Sequence, residues 1–184
     1  RTRRIRKHRS IIMKTLKILS LFFFASLVLA SCKKDDDGGD DPQAAAGTMT
    51  ATVDGGSFES LEGTVMAQET NSGGVRVMAV SAGTVDSENL QMIIQNFDGV
   101  GTYELNLANI GTYSYLPDPS NPDPTTVVVY MAVNGTTSGG EINISSYTSD
   151  RVKGTFSFTG YNIQDNTDTV SVTSGSFDME VTQN

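Results

Sequence analysis

The chain has 184 residues with 21 Asp and Glu against 13 Lys and Arg, one cysteine and one histidine, a length that suits one domain of ordinary size. A single cysteine excludes a disulfide framework, and with His8 as the only histidine, residues 9–184 hold no Ser-His-Asp triad, Cys-His pair or usual zinc ligand set. Eight of the 13 basic residues precede Cys32 and all 21 acidic ones follow it, so the chain from Cys32 onward carries five basic against 21 acidic residues, a formal −16 that excludes nucleic acid as a partner.

Residues 1–12, RTRRIRKHRSII, hold no methionine and add a second basic block ahead of Met13; they are expected to be upstream sequence read in frame. From Met13 the order is basic (Lys14, Lys17), apolar (Ile18 to Leu29, broken by Ser20 and Ser26) and small (Ala30, Ser31), which predicts a signal peptide over 13–31. A spanning helix needs roughly 20 apolar residues, and this run is shorter. The block Leu29-Ala30-Ser31-Cys32 resembles the lipobox of bacterial lipoproteins. That resemblance implies cleavage after Ser31, a diacylglyceryl group on the Cys32 thiol and acylation of the new amino terminus. One acyl chain holds a protein only marginally, whereas two or more anchor it stably. The membrane is therefore the expected partner, reached through the N-terminal lipid.

Lys33 to Gly47 contains no aromatic or β-branched residue, so 32–47 is expected to be a disordered tether. Its opening, Lys33-Lys34-Asp35-Asp36-Asp37, resembles the lysine-plus-acidic export signal of some Bacteroidota lipoproteins. The implied location is the outer membrane, facing the cell exterior.

Residues 48–184 read as one all-β domain. Met49, Ala51 and Val53 alternate with threonines before an Asp54-Gly55-Gly56 turn. Val75 and Val77 flank Arg76 in the same alternation, and Leu90, Met92 and Ile94 continue it. Val127 to Tyr130 is a continuous apolar run that predicts a central strand covered on both faces. Ile142 and Ile144 follow, then Val152, Phe156 and Phe158, with both phenylalanines and Phe177 expected in the core. Val170 and Val172 lie on even positions whereas Phe177, Met179 and Val181 lie on odd ones, which predicts a β-bulge at Ser174-Gly175-Ser176. The fold expected is a single antiparallel β-sandwich or flattened β-barrel of about eight to ten strands, monomeric, the choice between the two left open.

The stretches MTATVDGGSFES, GTYELN, SGGEINISSYTSDRVKGTFSFTG and VTSGSFDMEV resemble a single-domain lipoprotein family of Bacteroidota, a domain of unknown function. The resemblance implies a lipobox joined to one small β domain with no assigned activity. Its motifs are turn glycines and alternating aromatics, which report fold and not chemistry.

Carboxylates are what remains for catalysis. Glu104 and Glu141 are a candidate acid and base for glycan cleavage, weighed against solvated surface acids. Asp165 to Asp168 offers hard oxygens to calcium but is too short for a full ligand set and reads better as a hairpin turn. Asp168-Thr169-Val170 fits a short O-glycosylation pattern that arises easily by chance. Gly99 and Gly101 lack the third glycine of a dinucleotide site and read as turn residues. The least ordinary segment is Ile110 to Thr126, with four of the five prolines and with Tyr113 and Tyr115 at alternate positions. Repeated X-Pro steps favour an extended loop, so the tyrosines are candidates for a surface that stacks on a sugar or peptide, or else cap the edge of the sandwich. The function expected is a non-catalytic binding or structural domain of a surface lipoprotein, with no cofactor and no metal. The alternatives are a carboxylate-dependent glycan hydrolase and a lipocalin-like carrier of a small apolar ligand.

Overall fold

The computed structural model describes residues 43–184. The expected upstream segment, the signal peptide with Ser31, the lipidation site Cys32 and the export signal Lys33, Lys34, Asp35, Asp36 and Asp37 lie outside the described residues.

Thirteen strands follow in chain order: β1 (Thr48–Val53), β2 (Gly56–Glu59), β3 (Met66–Ser72), β4 (Val75–Gly83), β5 (Glu88–Gln95), β6 (Gly101–Leu105), β7 (Ile110–Tyr115), β8 (Val128–Met131), β9 (Val133–Asn134), β10 (Thr137–Ser138), β11 (Gly140–Thr148), β12 (Arg151–Asn162) and β13 (Thr169–Gln183). Nine have five residues or more, and the one helical element is a 3-10 turn at Pro124–Thr126. β9 and β10 form a small hairpin of their own; the other strands belong to one hydrogen-bonded sheet.

That sheet folds into two layers. One has the order β2-β1-β13-β12-β11-β6 and the other β3-β4-β5-β7-β8. Two corners join them. Val181–Gln183 of β13 runs parallel to Ala67–Glu69 of β3, and Tyr161 and Asn162 of β12 pair with Met131 and Tyr130 of β8. β12 and β13 are antiparallel, so their two C-terminal ends cross to the second layer at opposite ends of the hairpin. The ring β13-β3-β4-β5-β7-β8-β12 thereby closes, and sandwich and flattened barrel become one object. Closure leaves β2 and β6 as the edges of the large sheet, both short, which limits edge-to-edge association.

Burial follows period two, as a pleated strand with one covered face requires. Met49, Met78, Leu90, Met92, Ile94, Leu105, Ile142, Ile144 and Val172 are fully buried between the layers, and Phe156, Phe158 and Phe177 lie with them. The bulge in β13 is present: Phe156 pairs with Gly175 and Phe158 with Val172, so Ser157 alone faces Thr173 and Ser174. Ser174 takes the left-handed conformation, φ 50°. The extra residue restores inward facing for Phe177 and Met179 after Val170 and Val172.

Three expectations need correction. In β4 the inward residues are Met78, Val80 and Ala82, whereas Val75 is exposed and Val77 half-buried. The strand is apolar on both faces, so its phase was ambiguous. The strand read at Val127–Tyr130 is β8, Val128–Met131, of which only Tyr130 is buried. β8 is central, between β7 and β12, but a two-layer fold has no third layer to cover its outer side. The expected tether is too long at its C-terminal end. Ala44 is buried and the Gly47 N–H donates to the Asp178 carbonyl, so these residues join the domain ahead of β1.

Candidate functional site

The proline-rich segment does not present a tyrosine platform. β7 directs Tyr113 inward, where it is 6% exposed, with its ring centroid 5.9 Å from that of Tyr115 and 6.1 Å from that of Tyr130. The Tyr113 hydroxyl donates to Glu88 Oε1 (2.7 Å), and burial followed by the Glu88 carboxylate pushes its pKa up. Tyr130 donates to Asp168 Oδ2 (2.9 Å), which also receives Asn162 Nδ2, and burial then Asp168 raise its pKa to about 12. Tyr115 is half-buried against the same core. The tyrosines cap one end of the core and satisfy their hydroxyls on carboxylates, as buried phenols must. The loop beyond them is exposed and folded by its own aspartates, Asp118 accepting from Ser120 and Asn121 and Asp123 from Thr125.

Asp165 and Asp168 lie in the β12–β13 turn and have separate tasks. Asp165 accepts from the Thr167 N–H and hydroxyl, while Asp168 holds Tyr130 and Asn162. This is the hairpin reading and not the calcium one. Among the described residues no three His, Cys, Asp or Glu side chains converge as a metal site.

Arg76, Arg151 and Lys153 are the cations of residues 43–184, and each has an acid partner. Glu69, 5% exposed, accepts from Arg76 Nε (2.7 Å), Gln183 Nε2 (3.2 Å) and the Tyr147 hydroxyl. Asp178, 4% exposed, accepts from Arg151 Nε (2.5 Å) and Lys153 Nζ (3.0 Å). Burial pushes both carboxyls up, but the hydrogen bonds from Arg76, Tyr147 and Gln183 to Glu69, and from Arg151 and Lys153 to Asp178, outweigh it and hold both pKa values below the ordinary. An acid whose folded pKa is depressed adds stability above its unfolded pKa, about 4 for these groups, and loses it as pH falls through the folded value. The melting temperature should therefore drop steeply below about pH 4, and less steeply in Asp178→Asn, which starts lower at neutral pH. Parallel profiles for the two proteins between neutral pH and acid would refute this role for Asp178.

The outer face of the larger layer is different. Register aligns Glu59, Thr50, Ser176, Thr155, Asn143 and Thr102 in one unbroken row across β2, β1, β13, β12, β11 and β6. Thr50 and Ser176 are linked hydroxyl to hydroxyl at 3.0 Å, and Thr102 donates to Asn143 Oδ1 at 3.3 Å. A second row runs Ser57, Thr52, Thr173, then across the bulge to Ser157, Glu141 and Glu104. Neither row contains an apolar side chain or a cation. Two shallow depressions are cut into this face and meet at Ser157. One, of about 190 Å³, is lined by Glu141, Asn143, Thr155 and Ser174, with Phe156 and Gly175 at its base. The other, of about 200 Å³, is lined by Gly140, Thr159, Ser171 and Thr173, with Phe158 and Val172 at its base. The bulge sets two hydroxyls, Thr173 and Ser174, against Ser157.

Glu104 and Glu141 are thus direct cross-strand neighbours, both exposed. Like charges placed so are unfavourable, and nothing among the described residues neutralises them. The hydroxyl rows were not singled out from the sequence. Their only local signal is the run of Ser and Thr at alternate positions in β1, β12 and β13.

A family model described as a domain of unknown function (DUF6252) matches residues 45–179. No curated protein and no solved structure matches the chain.

Proposed function

We propose, for a chain that belongs to the DUF6252 family, an outer-membrane lipoprotein whose β domain binds a partner at the cell exterior without catalysis. Lipid on Cys32, exposed by cleavage after Ser31, is the anchor. Lys33, Lys34, Asp35, Asp36 and Asp37 form the export signal of the Bacteroidota type. The observation that carries the anchor is the placement of the only cysteine directly after a basic, apolar and small-residue signal. A thiol there has no pairing partner, and acylation gives it a use.

The carboxylates speak against catalysis. Carboxylate-only cleavage of a glycan needs an acid and a base flanking the scissile bond from either side. Glu104 and Glu141 stand side by side on an exposed sheet face. The interior is filled by fully buried side chains from both layers, which speaks against a carrier of apolar cargo. Binding is therefore assigned to the outer face of the larger layer, with Tyr113 and Tyr115 in a supporting role beneath the proline loop.

Cys32→Ala is expected to release the protein from membranes or to halt its maturation, with loss of the membrane-bound pool. Fractionation after high-salt and carbonate washing reads this directly. A mutant that stays as firmly bound as the wild type would rule out the lipid anchor. External protease on intact cells should remove the wild-type β domain, and full protection would rule out the exterior location.

A further inference from the structure

We infer that the two depressions meeting at Ser157 form one site for a neutral glycan chain, laid across β11, β12 and β13. The inference rests on the binding reading above and names the ligand class. Hydroxyl and carboxamide groups both donate and accept, so Asn143, Thr155, Ser157, Thr159 and Thr173 can meet sugar hydroxyls of either sense. Glu141 adds a strong acceptor at one end. Neighbouring strands are about 4.8 Å apart, so these groups repeat at a spacing that suits a chain of hydroxyl-bearing rings.

Other ligand classes fail on stated grounds. An anionic chain, whether nucleic acid or a uronic or sulfated glycan, would meet Glu141 and Glu104 with no cation beside them. Lys153, the nearest on the same strand, is engaged by Asp178 at 3.0 Å. A peptide cannot add as a strand, because β11, β12 and β13 each have a hydrogen-bonded neighbour on both sides. An apolar ligand finds little to hold: Phe156, Phe158 and Val172 border the depressions, but all three are turned into the core and buried. The bulge strengthens the choice. Bulges beside binding sites re-aim side chains, and Ser174, exposed and held at φ 50°, is a strained non-glycine residue at the rim of the depression.

The test is calorimetric titration of the full-length protein with cellohexaose, maltohexaose, xylohexaose and mannohexaose, with hyaluronan as an anionic control. Saturable binding of at least one neutral chain and none of hyaluronan is expected. Ser157→Leu, at an exposed position, fills the junction and should weaken binding at least about tenfold. Glu141→Gln, nearly isosteric, should weaken it several-fold even if Ser157→Leu proves unstable. Ser120→Leu on the exposed proline loop should leave it unchanged. Failure of all four neutral chains at millimolar concentration, preference for hyaluronan, or binding indifferent to both Ser157→Leu and Glu141→Gln would overturn the site. Chromatography of the same mixtures separates this from the reading it rests on. Shortened oligosaccharides would refute the non-catalytic proposal and leave the glycan site in place.

Discussion

Phe158→Ala is expected to destabilise the domain by about 3–5 kcal/mol, seen as a lower midpoint in denaturant melts with little change in slope. Phe158 is 4% exposed on β12, the strand that pairs with β13 along one side and with β11 and β8 along the other. Loss of a ring costs its transfer free energy plus that of the cavity left behind, and the second part depends on how far the walls can close. Here they can close little. The side chain lies against Gly140 at its Cβ and Gly160 at its ring, and both glycines belong to hydrogen-bonded strands and have no side chains to move inward. Tyr115→Ala removes a half-buried ring at the end of the core and should cost less, about 1–2 kcal/mol. A near-neutral Phe158→Ala would contradict the register that places this residue inside.

Alternation was informative where one face alone was apolar. Leu90, Met92 and Ile94 stand against polar or outward neighbours, and all three are fully buried. The change of phase between Val172 and Phe177 exposed a bulge without any knowledge of the partner strands, because one inserted residue is what restores facing. In β4 alternation points both ways, since Val75 and Val77 compete with Met78, Val80 and Ala82 for the core. Burial there is decided by the hairpin end, which leaves Val75 uncovered at 42% exposure. The tyrosines were legible as a pair on one face. Which face it was depended on Glu88 in β5 and Tyr130 in β8, partners that local pattern does not reveal.

The candidate site was less legible still, because it is a product of strand order. Thr50 and Ser176 are 126 residues apart in sequence and share a hydrogen bond. Glu104 and Glu141 become neighbours only because β6 leaves the β5–β7 layer to pair with β11. Each serine or threonine, read alone, is an outward residue of an amphipathic strand. The pairing of β13 with β12 and of β12 with β11 gathers them on one face, where Ser176 alone is buried.

Glycine substitutions on the inward side of β11 and β13 should separate two kinds of close packing, and Gly140→Ala is expected to be the more severe, at about 3 kcal/mol or more. A methyl at Gly140 would lie 2.1 Å from the Ser157 carbonyl oxygen and 2.5 Å from Phe158 Cα. Both atoms belong to the β12 backbone, so relief requires breaking the β11–β12 pairing. At Gly175 the obstruction is a side chain: the methyl would meet Phe156 Cδ2 and Cε2 at 2.5 Å and Cζ at 2.6 Å. Phe156 faces Gly175 directly across the strands, its ring filling the space a β-carbon would take. Gly175→Ala should therefore cost about 1–3 kcal/mol, and Phe156→Leu in the same chain should recover part of it. A double-mutant cycle between these two positions should give a favourable coupling of about 1 kcal/mol. The matching cycle of Gly140→Ala with Phe158→Leu should give close to none, because shortening the side chain leaves Ser157 O and Phe158 Cα in place. Equal coupling in both cycles would mean that the ring, and not the backbone, limits both sites, and that β11 and β12 are not paired in the register described.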